Sequence, residues 1–237
     1  MTAHVPREPV AELAALGVDA FTTTRQAGTF GTAGAEPVGE VMERWRGLVD
    51  LLRLHAPRIV TARQVHGARV LTHGGGWEGW LRADAADGHV APSPGTALAV
   101  TIADCVPVFL AHPRGAVALL HAGWRGTAAR ILEAGASALE RAGFPARELV
   151  AHLGPAVCGG CYEVGPDVYA RLTGRTANAP AHVDLRALLA DQAHAAGIRT
   201  VSVSRWCTRC DNDRFYSHRA GDGGRQLAVV CVHLDSP

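Results

Sequence analysis

A mixed α/β fold class is predicted for this chain by three observations. Short apolar runs rich in Val, Ile and Leu recur through its middle and at its end. Segments with apolar residues at helical spacing lie between and around them. No tandem repeat or low-complexity linker divides the 237 residues, a length that suits one larger domain. Strands at the centre with helices at the flanks read as a layered α+β domain built on a mixed sheet.

The elements follow in order. Glu36 to Leu54 places Val41, Trp45, Leu48, Leu51 and Leu52 near helical spacing and reads as a helix. Strands are expected at Arg58–Arg63 and Ala68–Thr72, followed by an exposed loop at Gly74-Gly75-Gly76-Trp77. Leu98–Ile102, Val106–Ala111 and Ala116–Leu120 are near-continuous apolar runs, as in strands buried on both faces. Thr127 is expected to cap a helix running to about Ala142, stopped by Gly143 and Pro145. Leu149–Leu153 reads as a strand, Gly165–Leu172 and Asp184–Ala196 as helices, and Thr200–Ser204 and Gln226–Val232 as the last strands.

Composition narrows the function classes. Apolar residues make up 48% and charged residues 19%, with a formal net charge of +1. So weak a field excludes a general attraction to nucleic acid or anionic membrane. All the basic side chains are arginine, which marks a bias of the whole chain, so no arginine is functional merely for its type. The first residues lack the charged-then-apolar order of a signal peptide. The most apolar stretch, Thr96 to Ala111, is broken by Asp104 and Pro107 and is too short to span a bilayer. The expectation is a cytoplasmic protein whose six cysteines are thiols or metal ligands rather than disulfides. No feature of the sequence signals an oligomeric state.

Three segments carry chemistry at the ends of apolar runs: Gln64-Val65-His66-Gly67, Ala103-Asp104-Cys105 and His121-Ala122-Gly123-Trp124. Two histidines and a cysteine make three zinc ligands and leave a fourth position open for reaction. Two other readings fit the same spacing. Cys105 and the histidines can be ordinary packing residues, or Cys105 can pair with a histidine as nucleophile and base.

The wider set of motifs carries a resemblance. It comprises Gln64-Val-His-Gly, Thr101-Ile-Ala-Asp-Cys-Val-Pro-Val, His121-Ala-Gly-Trp-Arg-Gly-Thr, Leu153-Gly-Pro-Ala-Val, Cys161-Tyr-Glu-Val-Gly, Cys207-Thr and Phe215-Tyr-Ser-His-Arg. In this order, from about Phe21 to Val232, they resemble the laccase-domain or multicopper polyphenol oxidase family. Its bacterial members are labelled YfiH-like proteins, peptidoglycan editing factors and purine nucleoside phosphorylases. The resemblance implies one three-layered, YfiH-like domain over residues 1–237, with a central mixed β-sheet flanked by helices. It also implies a metal site of His66, Cys105 and His121. The chain departs from the family in the short Thr29–Gly34 segment after Thr24-Arg25-Gln26-Ala27-Gly28, and in Arg63 where an acidic residue is expected. A reshaped or more open pocket is the expected consequence.

The resemblance further implies phosphorolysis of adenosine, inosine, guanosine or methylthioadenosine, and deamination of adenosine, with nucleoside and phosphate as partners. Asp104 is the candidate proton carrier, Gln64 a candidate contact to a base edge, and Arg25 a candidate at the reaction centre. Arg125 and Arg219 are candidate phosphate ligands, because a guanidinium fork matches phosphate oxygens. Tyr162 and Phe215 offer stacking surfaces, with core packing as their other role. Zinc is favoured over copper, because a blue-copper site wants an axial Met and neither Met1 nor Met42 is near these motifs in sequence.

Cys158-Gly-Gly-Cys161 and Cys207-Thr-Arg-Cys210 form two CxxC pairs that suit a structural zinc, although the 45 residues between them exceed a zinc ribbon's usual spacing. The competing functions are a Cys105-dependent amidase or editing factor acting on peptidoglycan precursors, a copper polyphenol oxidase, and a non-enzymatic metal-stabilised binding protein.

Overall fold

The computed structural model describes residues 5–53 and 55–234. Met1 and the expected helix end at Leu54 lie outside them. In chain order the strands are β1 (Arg7–Pro9), β2 (Val18–Thr23), β3 (Arg58–Ala62), β4 (Val70–Thr72), β5 (Gly79–Ala83), β6 (Gly88–Ala91) and β7 (Thr96–Ile102). They continue as β8 (Val106–His112), β9 (Ala116–Ala122), β10 (Val150–Leu153), β11 (Glu163–Val164), β12 (Ala181–His182), β13 (Thr200–Val203) and β14 (Gln226–Val232). The α-helices are α1 (Ala11–Ala14), α2 (Val38–Arg53), α3 (Trp124–Ala128), α4 (Ile131–Arg141), α5 (Pro166–Thr173) and α6 (Leu185–Ala195).

The expected mixed α/β class holds, with the strands divided between two six-stranded sheets instead of one. The first runs β1-β2-β14-β7-β3-β5 and the second β13-β10-β8-β9-β6-β4. Both are mixed: β3 runs parallel to β5 and β7, and β10 parallel to β13, while β14 and β9 each have antiparallel neighbours.

Side-chain alternation explains the layering. In β7, Leu98, Val100 and Ile102 join the cluster between the sheets, while Ala97 and Ala99 face α2. In β9, Val117 and Leu119 meet the first sheet, while Ala118 and Leu120 face α4 and α6. The order is therefore helix, sheet, sheet, helix. Strands in the middle are apolar on both faces because both faces are covered, which is why their runs are continuous. Each fully buried side chain such as Phe109 or Leu119 contributes roughly 1.5–3 kcal/mol.

One helix boundary differs from the sequence expectation. Thr127 does not cap a helix; it lies inside α3, and its hydroxyl has no hydrogen-bond partner among the described residues. Gly123 takes the cap position, and Arg130 at φ +63° separates α3 from α4. Asp184 does cap α6, accepting from the backbone N–H groups of Arg186 and Ala187. No helix among the described residues is long and apolar enough to cross a membrane.

Candidate metal centre

The chain crosses from the first sheet to the second after β3 and again after β7. His66 lies on the first crossing and Cys105 on the second. His121 lies on β9 in the same alternating row as Val117 and Leu119, so it faces the first sheet. Both crossings need unusual backbone: His66 has φ +60° and Asp104 has φ +80°, a region costly for non-glycine residues.

The histidine nitrogens and the Cys105 sulfur lie within 4.8 Å of one another. The two imidazole rings are 4.8 Å apart at an interplanar angle of 76°. Tetrahedral zinc with these donors places them about 3.3–3.8 Å apart, so small adjustments complete a site. His66 is exposed, Cys105 partly buried and His121 buried, which leaves one side open. Two glycines permit this crowding. A Cβ on Gly123 would stand 2.9 Å from the Cys105 sulfur, and one on Gly126 would stand 2.9 Å from the Gly67 carbonyl oxygen.

Asp87, at the entry to β6 and fully buried, organises two of the three groups. Its Oδ1 accepts from the His66 backbone N–H and lies 2.9 Å from His121 Nδ1. Its Oδ2 accepts from the N–H groups of Val65 and Gly67 at 3.2 and 2.7 Å. A carboxylate only accepts, so His121 carries its proton on Nδ1 and offers Nε2 as a ligand.

Electrostatics follow from this packing. Burial opposes ionisation of Asp87, yet the His121 and backbone donors hold its carboxyl below the usual range. Burial likewise opposes the Cys105 thiolate, but the charge and hydrogen bond of His121, with His66, bring it down to about 6. Burial disfavours the His121 imidazolium, but Cys105 and Asp87 raise it to about 9. Each group thus favours the charged form of the other.

The centre opens on a cavity of about 660 Å³, within the range of small-molecule sites. Its lining combines the apolar side chains of Phe30, Met42, Trp45 and Trp80 with the polar ones of Arg63, Arg82, Arg225 and His218. Trp45 and Trp80 stack at 5.0 Å. The short Phe30–Ala33 stretch lines the cavity directly. No carboxylate lines it among the described residues.

The residues expected from sequence are placed as follows. Gln64 reaches the cavity edge, but its amide is used in donating to the Thr101 carbonyl and accepting from Thr101 N–H and hydroxyl. Asp104 is buried and does not line the cavity; its oxygens accept from the Thr208 hydroxyl at 2.6 Å and the Arg219 N–H at 2.7 Å. It therefore braces the Cys105 turn rather than reaching the cavity as a proton carrier.

Arg25 also stays outside the cavity, bonded to Asp222 at 2.6 Å and to the carbonyls of Asn212 and Phe215. Arg125 is exposed and lies over Trp124, and Arg219 lies over Tyr162; neither lines the cavity. Burial raises the Tyr162 hydroxyl, the Cys105 charge adds to this, and Arg219 opposes it. Met42, distant from the motifs in sequence, lines the same cavity. The four CxxC sulfurs come together within 4.8 Å of one another.

Sequence reading missed Asp87, His218 and Arg82. Asp87 had a usable signal, an acidic residue opening the buried Gly88–Ala91 strand. His218 lay inside a quoted motif, yet only the fold turns it toward the cavity.

The family described as multi-copper polyphenol oxidoreductase laccase matches residues 19–233. A purine nucleoside phosphorylase from Xylella fastidiosa is 38% identical over 84% of this chain and 81% of its own length. Adenosine deaminase RL5, from an unknown prokaryotic organism, is 31% identical over 86% of this chain and 88% of its own. Among solved structures, Bacillus licheniformis YfiH superposes with a TM-score of 0.85 over 98% of both chains at 24% identity, a likeness of fold. With the family match spanning nearly every described element and relatives above 30% identity, the chain belongs to the multi-copper polyphenol oxidoreductase laccase family.

Proposed function

We propose that this protein is a zinc-dependent purine nucleoside phosphorylase with adenosine deaminase activity, its metal held by His66, Cys105 and His121. The observation that carries the reading is a three-donor cluster opening on a cavity lined by aromatic side chains and three arginines. The names of the relatives support the substrate class. Adenosine, inosine, guanosine and methylthioadenosine are the expected nucleosides. The middle cluster, shared by both sheets, supports reading the chain as one domain.

Bound zinc would supply Lewis acidity at an open coordination position, without redox change. Met42 on the cavity wall removes one argument against copper, but group transfer of this kind needs no electron transfer. The protein supplies the rest. Trp80 and Trp45 give a purine a flat apolar surface. Arg82 has no ion-pair partner among the described residues and favours phosphate. Arg63 instead pairs with Asp84, and the Arg225 guanidinium donates to the carbonyls of Asp222, Gly223 and Gly224. In phosphorolysis a phosphate oxygen bonds to the ribose C1′, the bond from C1′ to the purine breaks, and the base leaves with a proton.

His218 is the candidate donor of that proton. It is the one imidazole lining the cavity outside the donor cluster, among the described residues. His218→Gln is expected to lower kcat about 100-fold with a smaller change in KM. Its ring is exposed, so thermal stability should hold. An unchanged kcat and pH profile would remove His218 from this role.

The reading itself is tested by incubating the protein with inosine and adenosine, with and without phosphate. Phosphate-dependent hypoxanthine and adenine, with inosine formed from adenosine, are expected; none above a His121→Ala control would contradict it.

A second reading has a specific observation behind it. The Cys105, His121 and Asp87 series resembles a nucleophile, base and orienting carboxylate. Such an amidase would turn over fully in the presence of a chelator, and it gives His66 no task.

A further inference from the structure

We propose that Cys158, Cys161, Cys207 and Cys210 form a second metal site, a tetrahedral zinc tetrathiolate that clamps two loops behind the Cys105 turn. The proposal stands independently of what occupies the first centre.

The sheet brings the two CxxC pairs together. β10 and β13 run parallel with Val150 opposite Thr200 and Leu153 opposite Val203. The pairing continues past both strands: Ser204 N–H bonds the Leu153 carbonyl, Ala156 bridges Cys207, and Thr208 N–H bonds the Ala156 carbonyl. The two loops therefore leave the sheet side by side, and the 45-residue gap in sequence vanishes in space.

The donor geometry suits one metal ion. All four sulfurs lie within 4.8 Å of one another, and Cys161 and Cys210 approach to 3.4 Å. Tetrahedral zinc with bonds of about 2.3 Å sets sulfurs about 3.8 Å apart. A disulfide needs about 2.05 Å, and none of the four is bonded to another. So compact a set leaves no space for an iron–sulfide core between the thiolates.

The backbone also prepares for charge on sulfur. Cys207 Sγ accepts N–H groups from Cys158 at 3.3 Å and Cys210 at 3.4 Å, and Cys161 N–H closes a tight turn on the Cys158 carbonyl. The Arg209 guanidinium reaches the Cys161 carbonyl and brings a positive charge beside the four sulfurs. Core packing does not explain the cluster, since Cys210 is exposed and Cys158 and Cys161 only half-buried. A tetrahedral set of four thiolates is a donor set of structural zinc.

The clamp bears on the first centre. Thr208, next to Cys207, donates to Asp104, whose neighbour is Cys105. Tyr162, next to Cys161, packs under Arg219, whose N–H also bonds Asp104.

The test uses the full chain carrying His66→Ala and His121→Ala, with metal measured by plasma mass spectrometry after desalting. One zinc per chain is expected, falling to none when Cys158→Ser and Cys210→Ser are added. Cobalt substitution of the two-histidine variant covers the case in which the cysteine variant does not fold. It should give the strong thiolate-to-cobalt charge-transfer and visible bands of a tetrahedral four-thiolate site. The proposal is overturned by zinc that survives the cysteine substitutions, by iron in its place, by a cobalt spectrum lacking those bands, or by no bound metal with the thiols free or oxidised.

Discussion

Asp87→Asn is expected to lower zinc affinity at the His66, Cys105 and His121 centre about 10–100-fold. The carboxylate receives four donors, two on each oxygen: His66 N–H and His121 Nδ1 on Oδ1, Val65 and Gly67 N–H on Oδ2. Asparagine has one oxygen and one NH₂. Either orientation of the amide therefore turns a donor toward two other donors, at a residue with no exposure to water. Each buried group left unpaired costs about 1–3 kcal/mol, so stability should fall by roughly 2–5 kcal/mol as well. His66 loses its loop geometry and His121 its fixed tautomer, two ligands damaged by one substitution. Competition against a coloured chelator measures the affinity, and urea unfolding the stability. An affinity within twofold of the parent protein would contradict the role given to Asp87.

Cys105→Ala is expected to cost more activity still, about 1000-fold or greater, because a lost Lewis acid is worth several kcal/mol in the transition state. Two imidazoles without the thiolate make a weak site, so metal content at this centre should fall with activity. The fold should survive, since Cys105 is only partly buried and alanine occupies less room beside Gly123. A nucleophilic cysteine also predicts lost turnover, but the two accounts separate on the unmodified protein. There, chelation silences a metal enzyme and leaves a thiol enzyme active. Full activity in Cys105→Ala would remove both.

How much of this was legible in sequence depended on where each signal was stored. β14 was readable to its exact bounds at Gln226–Val232 because both of its faces are covered, which leaves one unbroken apolar run. β2 was missed: Thr22 and Thr23 are fully buried yet polar, and Thr23 uses its hydroxyl to accept from Leu227 N–H. β5 was missed for the opposite reason. It is an edge strand whose consecutive Leu81 and Arg82 are both exposed, so no apolar pattern marks it.

The site divided in the same way. His66, Cys105 and His121 were visible because each ends or closes an apolar run. Asp87 was not, since its partners are backbone N–H groups that no residue type announces. The arginines misled because the whole chain prefers arginine; Arg25 and Arg125 are taken up by Asp222 and Trp124, whereas the unremarked Arg82 lines the cavity. The CxxC pairs met through a parallel strand register, which sequence spacing does not carry.

The three-donor centre is expected to drive nucleoside chemistry in the cavity above it. The most direct test is the rate of hypoxanthine release from inosine and phosphate by one preparation, measured as purified, after chelation, and after zinc is returned. Loss on chelation and recovery with zinc are expected, both absent in the His66→Ala, His121→Ala variant. Hypoxanthine released at an undiminished rate by the chelated protein, or by that variant, would contradict it.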